Sequence, residues 1–365
     1  MELNKHVYAV IMAGGGGTRL WPVSRKENPK QLLDIFNGRS LFEIAVRRLK
    51  GLIPFERILV VTVAEQAKKL QKLVTEIPSA NYLIEPLPRG TAAVVALAAA
   101  ALQKMDPSAV MVVLTADHFI NNVEIFHSAI KAGCQLADEG NLVTLGIEPT
   151  FPSSGYGYIE LGNPIGDFNK ITAYKAIRFE EKPDENRAID FIKSGKFLWN
   201  SGMFIWKTAT VLTEITELMP DITQVIGELQ PWIGIDHGHG KFIEAWTSIK
   251  PQTVDYGIME KSRRVGVIPV KEIGWNDVGS WDSLFDVLPA DENGNILLGD
   301  QIHMLDSKDT LVFSDEKEKL IIPLGIKNMI IVNTSDALMI CPRGDSQKVK
   351  QLVDYLRTNH YTLFL

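Results

Sequence analysis

The amino-acid sequence predicts an α/β fold with a mixed, mostly parallel sheet, followed by a small C-terminal β domain that resembles a β-helix. Three observations lead to this prediction. Apolar runs typical of buried strands alternate with helical patterns from residue 7 to residue 147. Glycine and proline become frequent after residue 150, and short apolar runs separated by polar turns follow residue 294. We therefore expect a large domain at 1–290, with an insertion at about 150–262, and a small domain at 291–365.

Hydrophobic periodicity defines the elements of the first 150 residues. Continuous apolar runs predict strands at 7–13, 58–63, 81–84, 109–115 and 142–147. Apolar residues at helical spacing predict helices at 40–49, 64–76, 91–104 and 121–138. The first of these helices has Ser40 at its N-cap position and Glu43 three residues later, which is the spacing of a capping box. This alternation of strands and helices favours right-handed βαβ units and a parallel sheet.

The rest of the chain has shorter elements. Strands are predicted at 156–161, 174–179 and 265–270, with shorter helices between them and a helix at 280–288. In the small domain, strands are predicted at 296–298, 311–313, 320–322, 329–332 and 337–340, before a terminal amphipathic helix at 346–357. No strict internal repeat is evident to inspection.

Composition excludes several classes of protein. The 38 Lys and Arg against 44 Asp and Glu leave a net charge of −6, which argues against a general nucleic-acid binder. Two distant cysteines, Cys134 and Cys341, argue against a disulfide framework or a cysteine-ligated metal. The longest apolar run, 91–102, is shorter than the roughly 20 residues of a membrane span. We expect a cytoplasmic protein that binds neither nucleic acid nor membranes.

A glycine-rich loop directly follows the first predicted strand. The run Gly14-Gly15-Gly16-Gly17-Thr18 lets backbone N–H groups surround phosphate oxygens, because no Cβ intervenes. Its spacing matches neither a dinucleotide fingerprint nor a P-loop. Three cations follow within twelve residues, namely Arg19, Arg25 and Lys30. A turn without a ligand is the alternative, but together the loop and the cations predict a clamp for a triphosphate.

The loop and its continuation resemble a known signature. Gly-Gly-x-Gly-Thr-Arg-Leu-Trp-Pro-x-Ser-Arg, followed by Pro29-Lys30-Gln31, is similar to the signature of sugar-1-phosphate nucleotidyltransferases, and most similar to that of bacterial mannose-1-phosphate guanylyltransferases. Other motifs occur in the family's order at 114–118, 179–183, 199–204, 255–260 and 275–281. The resemblance covers almost the whole chain. It implies a Rossmann-like catalytic domain that converts GTP and mannose 1-phosphate to GDP-mannose and diphosphate, as well as a homodimer.

The resemblance also implies the catalytic residues. Asp117 and Asp277 match the positions that hold Mg²⁺ between the nucleotide α-phosphate and the sugar phosphate. A hard cation with carboxylate ligands lowers the repulsion between two phosphates. Arg19 is expected to hold the triphosphate, and Lys30 to stabilise charge on the α-phosphate and the leaving group. Asn276 stands where Ser is common in the family. Because the chain ends at Leu365, we do not expect the isomerase domain of longer relatives.

Recognition of the nucleotide base is assigned to Glu85, at the end of the predicted strand 81–84. Guanine presents two adjacent donors, N1–H and N2–H, which one carboxylate can accept, and we assign Glu85 to them. Uracil and thymine present one donor and would suit an amide. Arg89, Gly90 and Thr91 open the next helix and complete the predicted nucleotide site. The alternative for Glu85 is a salt bridge with Arg89.

The sugar pocket is predicted from residues that can hydrogen-bond hexose hydroxyl groups. These are Gly157, Glu181 and Asn200, and the family resemblance adds Lys182 for the sugar phosphate. Glu180 and Glu181 point to opposite sides of an extended segment, and we choose Glu181. Histidines are not assigned to a metal: we expect His118 to pack beside the site, and His237 and His239 to belong to a loop.

The mechanism expected from these residues is in-line attack by a sugar phosphate oxygen on the α-phosphorus of GTP. The attacking phosphate is already ionised at neutral pH, so no general base is needed. Two alternatives stay open. One is a nucleotidyltransferase for another base or sugar. The other is a non-catalytic sugar-nucleotide-binding paralogue, which should have lost the cationic clamp or a metal ligand.

Overall fold

The computed structural model describes residues 3–15, 17–36, 38–235 and 237–365. The chain folds into two compact units. Unit 1 contains Met1–Gly14, Ala45–Ala116 and Asn122–Gly274, and unit 2 contains Gly15–Ile44, Asp117–Asn121 and Trp275–Leu365. This grouping follows contacts in space rather than chain order, and the boundary near residue 290 stays a prediction. No helix in the described part of the chain has both the length and the apolar character that crossing a membrane requires.

The elements are numbered in chain order. The strands within the described residues are β1 (Val7–Met12), β2 (Ile58–Val63), β3 (Tyr82–Glu85), β4 (Val110–Thr115), β5 (Phe119–Ile120), β6 (Leu142–Ile147), β7 (Tyr158–Phe168), β8 (Ile171–Glu180), β9 (Phe197–Lys207), β10 (Val265–Val270), β11 (Trp275–Asn276), β12 (Ile296–Leu298), β13 (Leu311–Ser314), β14 (Met329–Asn333) and β15 (Leu338–Pro342). The α-helices are α1 (Leu41–Arg47), α2 (Ala64–Leu73), α3 (Thr91–Met105), α4 (Val123–Asp138), α5 (Glu185–Ser194), α6 (Thr208–Leu218), α7 (Pro220–Leu229), α8 (Gly240–Ser248) and α9 (Val349–Thr358).

Unit 1 is built on a nine-stranded sheet. Its strand order is β3-β2-β1-β4-β9-β6-β10-β8-β7. The pairs β3–β2, β2–β1, β1–β4 and β6–β10 are parallel, and β8 and β9 run against their neighbours. The predicted mixed, mostly parallel sheet is confirmed. Strand β9 was not predicted from the sequence; it inserts between β4 and β6 and also pairs with β7.

Burial explains why these strands were recognisable. All six residues of β6 are buried, as are four of six in β1 and five of six in β2 and β4, so each reads as a continuous apolar run. Helix α3 is buried from Ala92 to Leu102, and its small alanine side chains allow close packing in the core. Because both faces of these strands are covered, their ends are the exposed positions available for ligands.

Unit 2 has its own hydrophobic core. It joins Leu20, Trp21 and Leu33 to Val278, Trp281 and residues of β12–β14. Two indole groups tie the segments together: Trp21 Nε1 donates to the Phe364 carbonyl at 2.6 Å, and Trp281 Nε1 donates to the Trp21 carbonyl at 3.0 Å. The loop that carries the nucleotidyltransferase signature is therefore packed in one unit with the C-terminal β domain.

The local predictions in unit 2 have mixed outcomes. The capping box is confirmed, since Ser40 Oγ accepts from Glu43 N at 3.2 Å and Glu43 Oε2 accepts from Ser40 N at 3.1 Å.

The predicted helix at 280–288 is wrong, because the segment forms only a 3₁₀ turn at Asp282–Asp286. Ser283 Oγ donates to the Ser280 carbonyl, and the Asp282 carboxylate accepts backbone N–H groups of Gly344 and Ser346. These bonds compete with a helical continuation.

The C-terminal β domain is a short β-helix, as predicted. Strands β12, β13 and β14 are parallel, and β15 closes the sheet in the antiparallel sense. The predicted strand at 320–322 is reduced to a single bridge, Ile302 with Ile321. Further parallel bridges join Leu305 with Leu324 and Lys308 with Lys327.

Each of these bridged pairs is nineteen residues apart, and Leu311 pairs with Ile330 at the same offset. The corners repeat as well: Asp309 and Asn328 have φ values of 49° and 54°. The sequence therefore contains a repeat of nineteen residues, in which the same residue type recurs at the three bridged positions. The sequence-based expectation of no strict repeat did not detect it, because most of the residues between these positions differ.

Candidate functional site

In unit 2, a two-stranded ribbon brings the two predicted metal ligands to neighbouring positions. Strands β5 and β11 are antiparallel, with Ile120 opposite Trp275 and Phe119 opposite Asn276. Asp277 directly follows β11, and Asp117 lies two residues before β5. Continuing the register places Asp277 opposite His118, the neighbour of Asp117. Residues 160 positions apart in the sequence are thereby brought together.

Lys30 connects the two aspartates. Its Nζ donates to Asp117 Oδ2 at 3.0 Å and also to the backbone carbonyl of Asp277. The lysine is 7% exposed, whereas the Asp117 side chain is 38% exposed. Loss of hydration raises the pKa of Asp117, but the Lys30 ammonium and other nearby donors outweigh it and hold the pKa of this carboxyl below its usual value. Asp117 is therefore ionised at neutral pH.

A strained turn orients Asp277. Its Oδ1 accepts from the backbone N–H of Gly279 at 3.1 Å, and a Cβ at position 279 would lie 2.7 Å from Oδ2. Val278, between them, is fully buried and has a φ of 46°. This conformation is unfavourable for a β-branched residue, so the surrounding core must enforce it. Such strain is typical of segments that position a functional group.

The donor set fits Mg²⁺. The described residues contain no cluster of three or more His, Cys, Asp or Glu side chains that would enclose a metal ion. Asp117 and Asp277 instead supply two carboxylates. Mg²⁺ commonly takes one or two carboxylates from a protein and completes its octahedron with substrate phosphates and water. These two residues can therefore hold Mg²⁺ once a phosphate ligand is present.

His118 has a packing role, as expected. Its Nδ1 accepts from Trp275 Nε1 at 3.2 Å, and the two rings meet edge to face. This contact orients the segments that carry Asp117 and Asp277. The other two histidines, which were predicted to belong to a loop, also form hydrogen bonds. His237 Nδ1 lies 3.0 Å from the backbone of Ile84, and His239 caps the start of α8.

The glycine-rich turn approaches Lys30 closely. Gly15 and Gly17 have φ values of 115° and 30°, which other residues rarely adopt. A Cβ at position 17 would lie 2.7 Å from the Cβ of Lys30. Gly16 lies outside the described residues. Thr18 and Arg19 form the following 3₁₀ turn, with Arg19 exposed.

Arg25, predicted to contact the triphosphate, is paired with Asp336 in unit 2. Its guanidinium forms a bidentate ion pair with Asp336, with N···O distances of 2.7 and 2.6 Å, and Nε donates to the Pro22 carbonyl. In this arrangement Arg25 fixes the signature loop to the C-terminal β domain. A contact with a triphosphate stays a prediction, and it would require this ion pair to open.

In unit 1, Glu85 is the last residue of β3 and is 2% exposed. The backbone N–H of Arg89 donates to its carboxyl group, and a Cβ at Gly14 would lie 2.5 Å from Oε1. Oε2 has no hydrogen-bond partner among the described residues. Burial raises the pKa of Glu85 to about 7, and the Arg89 bond offsets only part of that rise.

The alternative prediction for Glu85, a salt bridge with the Arg89 guanidinium, is not what the structure shows. The Arg89 guanidinium donates to the backbone carbonyl of Thr247, so Arg89 meets Glu85 through its main chain. Gly90 has a φ of 82°, and its Cβ position would lie 2.3 Å from the Gln252 carbonyl oxygen. Thr91 Oγ1 accepts from Val254 N at 2.9 Å. Gly90 and Thr91 thus attach α3 to the 252–254 segment, and their contact with a nucleotide stays a prediction.

Four predicted sugar-pocket residues lie together in unit 1. A Cβ at Gly157 would lie 2.4 Å from Glu181 Oε2 and 3.5 Å from Asn200 Cβ. Lys182, with a φ of 48°, bonds Glu181 through its Nζ at 2.8 Å. Glu180 is not part of this group, because it pairs with Arg187.

Asp255 joins this group, although no role was predicted for it from the sequence. Its Oδ1 accepts from Asn200 Nδ2 at 2.6 Å. Burial and the charge of Glu181 raise the pKa of Asp255. The residue begins a π-helical turn, Asp255–Met259, a rare element that is frequent at functional sites. The family-like motif at 255–260 was the signal that could have identified it.

Comparison with known proteins extends these observations. The family model described as "Nucleotidyl transferase" matches residues 8–294, and the model described as "MannoseP isomerase/GMP-like beta-helix domain" matches residues 300–356. A mannose-1-phosphate guanylyltransferase of Escherichia coli is 40% identical over 364 residues, which cover 97% of this chain and 74% of the relative.

Two solved structures are similar to this chain over most of its length. A crystal structure titled mannose-1-phosphate geranyltransferase, from Thermus thermophilus, has a TM-score of 0.85 and 31% identity, covering 96% of this chain and 99% of that one. One titled mannose-6-phosphate isomerase, from Helicobacter pylori, has a TM-score of 0.60 and 25% identity over 74% of this chain and 99% of its own. The chain belongs to the nucleotidyl transferase family, together with the mannose-1-phosphate guanylyltransferases that it resembles over most of its length.

Proposed function

We propose that the protein is a mannose-1-phosphate guanylyltransferase, which converts GTP and α-D-mannose 1-phosphate to GDP-mannose and diphosphate. The observation that carries the proposal is the pairing of Lys30 with Asp117 beside Asp277. This arrangement suits phosphoryl chemistry, because it combines one buried cation with two carboxylates. The Escherichia coli relative that is named for this activity aligns with 97% of this chain.

The chemistry needs little from the protein beyond position and charge. An oxygen of the sugar phosphate attacks the α-phosphorus of GTP in line, and the bond between that phosphorus and the diphosphate oxygen breaks. Lys30 and Arg19 neutralise charge on the triphosphate, and Asp117 and Asp277 would hold Mg²⁺. When bound, Mg²⁺ supplies the positive charge that lowers the repulsion between the two phosphates. No proton transfer is required at the attacking oxygen.

Glu85 supports guanine as the base. An ionised carboxylate can accept both N1–H and N2–H, and Gly14 leaves room for that carboxylate at its strand end. An enzyme that selects uracil or thymine would need a donor as well as an acceptor at this position, which an amide supplies. The buried carboxyl therefore favours GTP over UTP or dTTP.

The pH dependence of GTP use follows from the pKa of Glu85. Because burial raises this pKa to about 7, the fraction of Glu85 able to accept both guanine donors falls as the pH drops below about 7. We expect kcat/KM for GTP to fall by about tenfold per pH unit below that value. The phosphates of both substrates titrate in the same range, so Glu85→Gln is the control. The assignment fails if the two proteins have the same pH profile.

The sugar-pocket residues support a hexose phosphate as the second substrate. Glu181, Asn200 and Asp255 together offer acceptors and a donor for hydroxyl groups, and Lys182 offers a cation for the phosphate. Glycine at position 157 is required for this arrangement, because a methyl group there would meet Glu181 Oε2.

Gly157→Ala is therefore expected to act on the sugar and not on the nucleotide. The added methyl group would displace Glu181, and we expect KM for mannose 1-phosphate to rise by about tenfold or more, with KM for GTP nearly unchanged. Initial-rate measurements with each substrate varied in turn test this prediction. Gly195→Ala, at the end of α5, is the matched control for loss of a glycine outside the site. An equal rise in both KM values would contradict the sugar-pocket role.

The experiment that tests the proposed function is a substrate matrix. Diphosphate release is measured with Mg²⁺ for mannose 1-phosphate and glucose 1-phosphate, each against GTP, ATP, UTP and dTTP. A strong preference for GTP with mannose 1-phosphate supports the proposal. Another preferred pair would keep the reaction type and overturn the assignment of Glu85 or of the sugar pocket. Binding of GDP-mannose with no turnover for any pair would favour a regulatory paralogue.

Two further expectations stay predictions. The cytoplasmic location rests on the sequence analysis alone. The homodimer rests on the family resemblance, and light scattering of the purified protein would decide it.

A further inference from the structure

Lys30 links two parts of unit 2 that have different predicted tasks. The start of its side chain lies against the glycine-rich turn, where a Cβ at Gly17 would be 2.7 Å from Lys30 Cβ. Its ammonium group lies 3.0 Å from Asp117 Oδ2 and donates to the Asp277 carbonyl. The Lys30 side chain therefore extends from the glycine-rich turn, the predicted triphosphate site, to Asp117, a predicted metal ligand.

The ammonium group and a divalent cation compete for Asp117. Lys30 is 7% exposed, so its charge is only weakly screened by water. In this position it neutralises the carboxylate and repels a second cation that approaches the same oxygen atoms. Asp117 should therefore attract a divalent cation less in this arrangement than it would without the lysine.

Rotation of its side chain would let Lys30 leave both Asp117 and the Asp277 carbonyl. Lysine carries its ammonium group on a flexible four-carbon stem and can donate in three directions. A triphosphate held by the glycine-rich turn carries several negative charges, and it would compete with the single charge of Asp117 for this ammonium. Transfer of Nζ to the phosphates would expose Asp117 to a metal ion.

We infer that Lys30 occupies Asp117 while no nucleotide is bound, and that it blocks the divalent cation until a triphosphate draws its ammonium group away. The inference rests on the proposed function, which assigns Asp117 and Asp277 to the metal. It implies positive coupling between nucleotide and metal, and that coupling is reciprocal. The free protein then binds the metal weakly, and the metal enters together with the nucleotide.

Titration with Mn²⁺ in the absence of nucleotide tests this inference without turnover. Electron paramagnetic resonance measures the concentration of free Mn²⁺ at each step and so gives the affinity of the protein for the ion. Lys30→Met is expected to bind Mn²⁺ about tenfold more tightly than the unchanged protein, or better. Lys26→Met is the matched control, because it removes the same charge from an exposed residue of the same segment. Its affinity is expected to stay within about twofold. The double variant Lys30→Met/Asp117→Asn is expected to lose the gain.

The inference is overturned if Lys30→Met binds Mn²⁺ no more tightly than the unchanged protein, or if the double variant keeps the gain. Lys30→Met should fold, because the Asp117 side chain, although partly shielded from water, is still 38% exposed and can be hydrated when the ammonium is removed. Thermal unfolding checks this, and Lys30→Gln is a second variant for the same titration.

The unchanged protein offers an independent measurement. With ¹⁵N-labelled lysine, the Lys30 ammonium resonance is expected to shift on addition of inorganic tripolyphosphate and to stay in place with Mg²⁺ alone. The opposite pattern contradicts the inference. An active enzyme whose Lys30→Met variant gains no Mn²⁺ affinity refutes the inference alone, whereas failure to form GDP-mannose from any substrate pair refutes the proposed function.

Discussion

Asp277→Asn is expected to lower kcat by about a thousandfold while the protein stays folded. Asparagine keeps the oxygen that accepts from Gly279 N–H, so the strained turn at Val278 retains its hydrogen bond. The carboxylate charge is lost, and one of the two ligands assigned to Mg²⁺ becomes a weak one. The large effect follows because the reaction depends on charge neutralisation between two phosphates.

The measurement is diphosphate release at saturating GTP, mannose 1-phosphate and Mg²⁺, together with thermal unfolding. We expect the unfolding midpoint to change by no more than about 2 °C, because no packing contact is removed. Asp300→Asn, an exposed aspartate of the same unit, should retain full activity. Turnover of Asp277→Asn within about tenfold of the unchanged enzyme would remove Asp277 from the metal site.

Glu85→Gln is expected to lower activity and raise stability at the same time. The amide can accept only one of the two guanine donors and opposes the other with its own NH₂ group. We expect kcat/KM for GTP to fall by about a hundredfold, and the preference for GTP over UTP to narrow. The substrate matrix measures both, with Glu65→Gln in α2 as an exposed control.

The stability effect of Glu85→Gln depends on pH. The pKa of Glu85 is raised to about 7 in the folded protein from an ordinary value of 4.5, so the folded state binds this proton more tightly than the unfolded state. Its contribution to stability therefore declines as the pH rises from 4.5 to about 7, by about 3 kcal/mol in total. Above about pH 7 the buried charge is fully present.

Thermal unfolding at two pH values tests this sign. The Gln variant should unfold at a higher temperature than the unchanged protein at about pH 8, and the two should be nearly equal at about pH 4. A residue that is buried at a destabilising cost and required for substrate recognition fits a functional site. A Gln variant that is destabilised at about pH 8 would show instead that Glu85 acts as a structural acceptor.

The successes and failures of sequence-based prediction have physical causes. Strands β1, β2, β4 and β6 were predicted because both of their faces are buried, which makes their sequences continuously apolar. Strand β9 was missed, although it is central to the sheet. Its sequence, Phe197–Lys207, is interrupted by Asn200 and Gly202, which break the continuous apolar run. The C-terminal repeat was missed because its coils share identical residues at only a few positions, and the rest of the repeat lies in bridge pairing and corner geometry.

The same division applies to the candidate site. The glycine-rich turn and Glu85 could be proposed from the sequence because residue types suited to phosphate and base chemistry follow predicted strand ends there. Asp117 and Asp277 were assigned to the metal through the family resemblance, and these roles stay predictions. Asp255 could not be given a role in the same way, since its significance lies in a 2.6 Å bond to Asn200, 55 residues earlier. Arg25 looked like a phosphate ligand in sequence, and its bidentate pairing with Asp336 appears only in the fold.

The sequence by itself determined the fold class, the family, and the residue types available for metal, base and sugar, because local periodicity and motif chemistry depend on near neighbours. Only the tertiary structure decided which of these groups meet. The β5–β11 ribbon brings Asp277 to Lys30 and Asp117, and burial of Glu85 changes its acidity. Proximity of residues distant in the chain, and loss of hydration at a carboxyl group, are properties of packing, and packing exists only once the chain has folded.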